Sequence, residues 1–382
     1  PPLLSDKAKE WMVGATFFTG GKRHHELVKN FLPKDYVWED VKVPISAYID
    51  SLQNTNKEWV VLASGDPYFY GIAITLKRYF PDAEIVSLPT FNSLQMLAHQ
   101  KQVAYGEYRV VTLTGRPWNK FDKALIEGEE RIALLTDKKK TPAVIAQRML
   151  DFGYDNYQMV VGENMGGEKE RIFELSVKET SEREFAAPNC VYLTKNNKHI
   201  PIKGIPEGDL ETLEGRPKMI TKMPVKVTSL ALMQLQSKKV FWDVGACSGS
   251  MSIEAKLMAP QLDVFAFEIR EESRGIIERN TKQFQTPGIE AFIGDFNEVS
   301  KVDMPKPDAV FLGGYGGQMH QVLDHIHQYL QENGVLAFNA VSDKSQQEFE
   351  QWCDKNNYLI QHSIDLKVND FNEIRIYCAT QS

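Results

Sequence analysis

Short apolar runs alternate with stretches of helical periodicity along most of this chain. In the first half, Trp59-Val60-Val61-Leu62-Ala63 reads as a strand ending at Ser64-Gly65-Asp66-Pro67. A helix pattern through Ile72, Leu76 and Tyr79 follows, and Glu84 to Leu88 reads as the next strand. Further strands are predicted from Tyr108 to Leu113, Arg131 to Leu135 and Tyr157 to Val161, with a helix from Pro142 to Phe152 between the last two. Pro142 suits a first helical turn, where an N–H has no intrahelical partner to lose. From Lys195 to Lys222 the pattern breaks into polar sequence with Pro and Gly, including Lys203-Gly204-Ile205-Pro206-Glu207-Gly208, which reads as a linker. Beyond it strands are predicted near 240–244, 263–267, 289–293, 308–312, 334–340, 358–365 and 374–380, and helices near 249–258, 271–284, 318–330 and 343–354. Such alternation predicts an α/β architecture. A length of 382 residues calls for more than one core, and the break places two domains at 1–200 and 205–382.

Composition narrows the setting. With 42% hydrophobic and 25% charged residues, the chain has the make-up of a globular protein, and no apolar run is long enough to span a bilayer. The opening residues show no basic-then-apolar leader pattern. Cys190, Cys247, Cys353 and Cys378 are scattered without a Cys-x-x-Cys, so neither a disulfide framework nor a metal site is expected, and a reduced, cytoplasmic setting is. A net charge of −7 argues against a nucleic-acid partner. The local cluster Lys22-Arg23-His24-His25 is still suited to an anionic small molecule.

The strongest chemical signal is Val240-Phe241-Trp242-Asp243-Val244-Gly245-Ala246-Cys247-Ser248-Gly249, followed by Val264-Phe265-Ala266-Phe267-Glu268. An apolar run ends in an acid, a glycine turn and a helical stretch follow, and a second apolar run ends in a carboxylate. That is the order of a nucleoside-binding strand, turn, helix and strand. The glycines let backbone amides approach a ligand, and Glu268 can accept bonds from two ribose hydroxyls. Cys247 replaces the middle glycine and no Gly-x-Gly-x-x-Gly occurs, which favours S-adenosylmethionine over a dinucleotide. A plain structural turn would account for the glycines alone, but not for the acid that follows.

Several rivals can be weighed. An adenine-N6 methyltransferase places Asn/Asp-Pro-Pro-Tyr/Phe after its fourth strand to stack a flipped base, whereas this chain has Leu312-Gly313-Gly314-Tyr315. A cytosine-C5 enzyme needs a Pro-Cys nucleophile, and no such dipeptide occurs. Protein methylation, and a donor-binding protein with one inactive site, stay open.

Both halves carry a resemblance. The chain is similar to the fused precorrin-6Y C5,15-methyltransferases (decarboxylating) of cobalamin biosynthesis, which join a tetrapyrrole methylase domain to a class I methyltransferase domain. In the first half the matching segments are Gly20-Gly21-Lys22-Arg23-His24, Ser64 to Pro67, Pro89 to Gln95, Leu113-Thr114-Gly115-Arg116, Leu134-Leu135-Thr136-Asp137 and Gly162-Glu163-Asn164. In the second they are Ile220-Thr221-Lys222, Asp243 to Gly249, Ser252 to Ala255, Ala266 to Glu268, Asn280, Gly294-Asp295, Phe311 to Gly314 and Phe338 to Val341. The resemblance implies a class III tetrapyrrole methylase fold of two α/β subdomains, followed by a Rossmann-like seven-stranded class I methyltransferase. It implies S-adenosylmethionine as cofactor, held by Thr221, Asp243, Gly245, Ala246, Cys247, Ser248, Gly249, Glu268, Asp295 and Phe296 in the second domain. In the first, Gly65, Asp66, Asn92, Ser93 and Thr136 border the donor cleft. A polycarboxylate precorrin, with or without cobalt, would meet Lys22, Arg23 and Arg116 in one domain and Lys222, Lys226, Gly313 and Gly314 in the other. Methyl transfer depends chiefly on alignment, so no dedicated base is expected, and His24, His25, His320, His325 and His327 are given structural roles. No metal, no membrane and a homo-oligomeric assembly are expected.

Departures from the family pattern are specific. Thr114 stands where His is usual, Asn92 where Ser is usual, and Pro224 and Lys226 where Glu and Arg are usual. Lysine cannot form the bidentate fork of arginine on a carboxylate. Pro1-Pro2-Leu3-Leu4 resembles the segment just after the family's first strand and Gly-x-Gly turn, so either the sequence is trimmed there or the first donor site is incomplete. Weak donor binding by residues 1–200 as they stand is expected.

Overall fold

The computed structural model describes residues 4–42, 44–53, 57–197, 202–216, 219–369 and 373–381. Its strands form three separate sheets, of three, five and seven strands.

The first sheet is parallel, with β1 (Phe17–Gly20) between β2 (Val37–Asp40) and β3 (Trp59–Val61). Helices α1 (Asp6–Gly14), α2 (Lys22–Val28), α3 (Ile45–Gln53) and α4 (Ile72–Tyr79) connect and cover it. The run Glu84–Leu88 is not the strand that its composition predicts. Ile85 packs on the cluster of Tyr48, Ile49, Leu52 and Leu76, but the segment has no strand beside it. An apolar run becomes a strand only where a second backbone completes its ladder.

Helix α5 (Ser93–Lys101) leads into β4 (Arg109–Thr112), α6 (Asn119–Ile126), β5 (Arg131–Leu135), α7 (Pro142–Asp151), β6 (Tyr157–Glu163), β7 (Arg171–Ser176), α8 (Val177–Ser181) and β8 (Asn189–Lys195). The five strands stand in the order β4-β5-β8-β6-β7, with β4 and β5 parallel and the remainder antiparallel. Thr141 caps α7 and Pro142 occupies its first turn, as the sequence requires.

The third sheet is built from β9 (Val240–Val244), β10 (Asp263–Glu268), β11 (Ile289–Ile293), β12 (Ala309–Leu312), β13 (Val335–Ala340), β14 (Tyr358–Leu366) and β15 (Ile374–Gln381). Their order, β11-β10-β9-β12-β13-β15-β14, with only β15 antiparallel to its neighbours, is that of a class I methyltransferase. Helices α9 (Met223–Leu232), α10 (Ser250–Met258), α11 (Glu272–Gln283), α12 (Met319–Tyr329) and α13 (Asp343–Lys355) cover its faces. The reversal of strand order falls between β9 and β12, so the crevice at their carboxyl ends is where an open α/β sheet takes its ligand. One face carries Trp242, Phe267, Leu312 and Phe338 into a large core; the other carries Phe241, Phe311 and Ala337 against Leu230 and Met251.

The segment after β8 is not a free linker. Ile205, Leu210 and Ile220 are buried with Ile126 of α6 and Ile253 and Leu257 of α10. Gly204 and Ile205 donate their amides to Glu254 at 2.6 and 2.9 Å, and Lys226 bonds to the Ile205 carbonyl at 3.1 Å. Polar, glycine-bearing sequence looks like a linker because its apolar residues are too few to show a period. Here three of them suffice to seat it. Contacts across the two halves also include Tyr154 Oη to the Gln285 carbonyl and Asn119 to Asp263. No helix among the described residues is long and apolar enough to cross a membrane.

Candidate active sites

The carboxyl end of β9 delivers the acid and the turn that the sequence singled out. Asp243 is fully buried. Its Oδ2 accepts from the Ser252 amide at 3.0 Å and hydroxyl at 2.6 Å, while Oδ1 has no partner. Burial pushes the Asp243 carboxyl up to about 6, against the opposing pull of the Ser252 bonds. Past it, Gly245 lies at φ +81°, and its amide and that of Ala246 donate to the Phe267 carbonyl at 2.9 and 3.0 Å. A side chain at 245 would run into the backbone of Gly314. Cys247, at φ +53°, points its amide to Glu268 Oε2 at 2.8 Å. Ser248 is buried with its hydroxyl unpartnered, and Gly249, at φ +76°, opens α10.

Glu268, at the end of β10, is nearly inaccessible. Its Oε1 accepts from the Arg270 amide at 3.1 Å and guanidinium at 2.8 Å. Asp295 follows β11, and its carboxylate accepts the Asn297 amide at 2.8 Å. The Phe296 ring packs in the core, edge-on to Trp242 and Phe267. Gly313 and Gly314 donate to the Val244 carbonyl at 2.7 and 3.1 Å. Their smallness serves the close approach of two loops as well as access from outside. Thr221 is half-buried just ahead of α9, and Lys222 pairs with Glu207 at 3.2 Å. Lys226 is not a cleft residue. It is completely buried and faces Glu254 at 3.4 Å, so the Lys-for-Arg departure concerns packing rather than substrate grip.

In the first half, Gly65 (φ +68°) sits so close to Asn92 that a Cβ there would stand 3.1 Å from the Asn92 Cα. The Ser64–Pro67 loop and the start of α5 are therefore one surface. Asn92 caps α5 in a reciprocal box with Gln95, a role open to Asn as to Ser. Asp66 holds its own loop by accepting the Tyr68 amide at 2.8 Å. His24 reaches the loop through Ser64, Nε2 to Oγ 2.7 Å, while its Nδ1 accepts the Gly21 amide at 3.2 Å. The proton therefore sits on Nε2, and His24 positions Ser64 rather than activating it. Thr136 bonds to Asn189, whose neighbour Cys190 contacts the Ser93 carbonyl, so the start of β8 ties Thr136 to Ser93. Lys22 and Arg23 are exposed on the first turn of α2, and Arg116 is exposed after β4.

Four residues gained roles only from the structure. Ile269 exposes its apolar side chain, 62% accessible, beside Glu268, and Arg270 clamps that acid. Asn280 bonds to the Ser248 carbonyl at 2.9 Å and to both backbone groups of Glu211, stapling the turn to the docked segment. Asn339, one place beyond the β12 ladder, keeps a buried amide nitrogen without a partner while Ser229 holds its oxygen. An exposed isoleucine directly after the acid and an arginine two places on were visible signals. The partners of the two asparagines lie 110 and 32 residues away and left none.

Comparison with known proteins follows the same division. Residues 1–180 match the tetrapyrrole (corrin/porphyrin) methylases and residues 215–367 the precorrin methyltransferase domain. A precorrin-6Y C(5,15)-methyltransferase [decarboxylating] of Sinorhizobium sp is 28% identical over 342 residues, 89% of this chain and 81% of the relative. A cobalt-precorrin-7 C(5)-methyltransferase of Salmonella typhimurium is 30% identical over 46% of this chain and 85% of its own length. The chain belongs to the precorrin-6Y C5,15-methyltransferase (decarboxylating) family. As a member of this methyltransferase family it has a further relative in the cobalt-precorrin-6B C(15)-methyltransferase (decarboxylating) of Salmonella typhimurium. That enzyme is 32% identical over 34% of this chain and 66% of its own length. The two Salmonella relatives cover 176 and 129 residues, so what this family joins in one chain is found there as two proteins.

Proposed function

We propose that the chain methylates a precorrin at C5 and C15 and removes the carboxylate of the ring-C acetate, dividing the work between a first domain up to about residue 200 and a second from about 205. The observation that carries this reading is the match of two different methylase families, the tetrapyrrole methylases over residues 1–180 and the precorrin methyltransferase domain over residues 215–367. The first holds the joined Gly65 and Asn92 loops and the second the turn after β9. One crevice aligns one ring carbon with one methyl donor, so two distant ring positions call for two crevices.

The second crevice suits S-adenosylmethionine. Asp243 Oδ1 and Ser248 Oγ are buried without partners, the Gly245 cradle has room for no side chain, and Ile269 offers an apolar surface beside the Glu268 carboxylate. When bound, the donor supplies an electrophilic methyl group on a sulfonium. The residues here bind and orient it: Glu268 accepts from ribose hydroxyls, and Asp243 faces the cationic end. In decarboxylation the C–CO2 bond breaks, its electron pair enters the conjugated macrocycle, carbon dioxide leaves, and a proton from water then completes the methyl group left on ring C. No side chain is required as an electron sink. The four cysteines are unpaired, in keeping with a cytoplasmic setting.

The test supplies precorrin-6Y and the donor to the full chain and follows carbon dioxide and the methyl positions. Asp66→Ala should leave carbon dioxide release and C15 methylation within about twofold while reducing C5 methylation at least tenfold. Loss of decarboxylation in a folded Asp66→Ala chain would end the proposed division.

A pH dependence follows from Asp243. Its folded value, about 6, lies above its ordinary value of 3.8, so the ligand-free fold loses stability as pH rises between the two. Donor binding requires the charged carboxylate, so affinity should fall as pH drops below about 6, with protons released on binding near that pH. Calorimetry in two buffers of different ionisation heat measures this; an affinity flat from pH 5 to 8 contradicts it.

A further inference from the structure

The loops after β4 and β5 leave an open pocket of about 500 Å³, lined by Arg116, Asp137, Lys138, Lys139 and Lys140 among others. Four cations and one acid meet there, in a chain whose overall charge is −7. The one acid is spent internally. Asp137 accepts the amides of Lys139 and Lys140 at 2.8 and 2.7 Å and that of Gly115 at 2.9 Å. These bonds hold its carboxyl below the usual carboxylate range and clamp the two loops together. Arg116, Lys138 and Lys139 are exposed, and the Lys140 ammonium lies 5.4 Å over the Trp118 ring. The strands β4 and β5 are parallel, so the pocket stands outside their carboxyl ends, where ligands of α/β sheets bind. Thr136, placed with the donor cleft by the family resemblance, immediately precedes Asp137 and accepts a bond from Thr114 through its carbonyl.

We propose that this pocket grips the peripheral carboxylates of the tetrapyrrole for the first domain's reaction, with Arg116 as a bidentate anchor and Lys138, Lys139 and Lys140 as a cationic rim. The inference rests on the proposed function and names the substrate contact of that first site. Arginine supplies geometry and the lysines supply long-range attraction, so their losses differ. A compact cationic rim raises the local concentration of a polyanion and makes its capture salt-dependent.

The experiment uses the full chain with Lys138→Glu/Lys139→Glu and, separately, Arg116→Ala, following C5 methylation of the C15-methylated, decarboxylated intermediate alongside carbon dioxide release from precorrin-6Y. The double variant should raise KM for C5 methylation tenfold or more with kcat changed less than twofold, and should flatten the dependence of KM on salt. Arg116→Ala should raise KM and lower kcat together. Carbon dioxide release should stay within twofold in both. Unchanged C5 kinetics, or equal changes in both reactions, would overturn the proposal. If the unsubstituted chain makes no C5 product, the first-domain half of the proposed function fails instead. The pocket is then tested by absorbance titration with uroporphyrin, an octacarboxylate, and its octamethyl ester. A tenfold weakening confined to the acid supports the pocket, and identical titrations of variant and unsubstituted chain refute it.

Discussion

Gly245→Val should eliminate methyl-donor binding in the second domain and reduce carbon dioxide release and C15 methylation by more than a hundredfold, leaving in place C5 methylation of the supplied C15-methylated, decarboxylated intermediate. Two independent effects combine. Residue 245 sits at φ +81°, a conformation β-branched side chains rarely adopt. Its Cβ would also occupy the space of the Gly314 backbone. Relief would require the Gly313–Gly314 loop to retreat, breaking both of its bonds to the Val244 carbonyl, or the turn to open, breaking the amide bonds to Phe267. Either movement removes the backbone cradle from beneath the donor. Calorimetry of the donor and trapping of released carbon dioxide measure the two losses. A Gly245→Val chain that still bound the donor with unchanged affinity would remove this turn from the site.

Glu254→Ala should destabilise the second domain by about 3–5 kcal/mol, the range for a buried ion pair deprived of one partner. Glu254 and Lys226 are both completely buried, 3.4 Å apart, and the carboxylate also receives the amides of Gly204 and Ile205. Truncation strands a buried ammonium, whose charged form burial already disfavours, with the Ile205 carbonyl as its remaining hydrogen-bond partner. It also orphans two amides of the docked segment. Lys226→Met should be milder, because Glu254 keeps two backbone donors. Urea titration of the second-domain transition measures both. A loss below about 1 kcal/mol for Glu254→Ala, or a larger loss for Lys226→Met, would show that this pair does not seat the segment.

These two sites mark where sequence reading stops. Glycine at 245 was legible as a turn that approaches a ligand, yet its collision with Gly314 involves a residue 69 positions on and has no local signature. Lys226 read as a cation for the substrate, and Glu254 carried no role beyond its place in a matching segment. Only the packing of α9, α10 and the segment at 204–205 against one another turned them into an interior pair.

Elements whose cause lies within their own residues were determined by sequence. The helix from Pro142 was set by its Thr cap, its first-turn proline and its apolar period. The strand Arg131–Leu135 and the strands and helices from Val240 onward followed from period and breakers. So did the acid–turn–acid order of the second site, because a βαβ unit brings its two strand ends together automatically. Tertiary structure decided what depends on a distant partner. Glu84–Leu88 has strand composition but no ladder beside it, the polar run after β8 is docked, and Phe296 belongs to the core. The physical reason is common to all of them. Backbone propensity and amphipathic period are local quantities. Ladder pairing, desolvation of a charge and the clearance available to a single Cβ are fixed by groups that the chain brings near only when it folds.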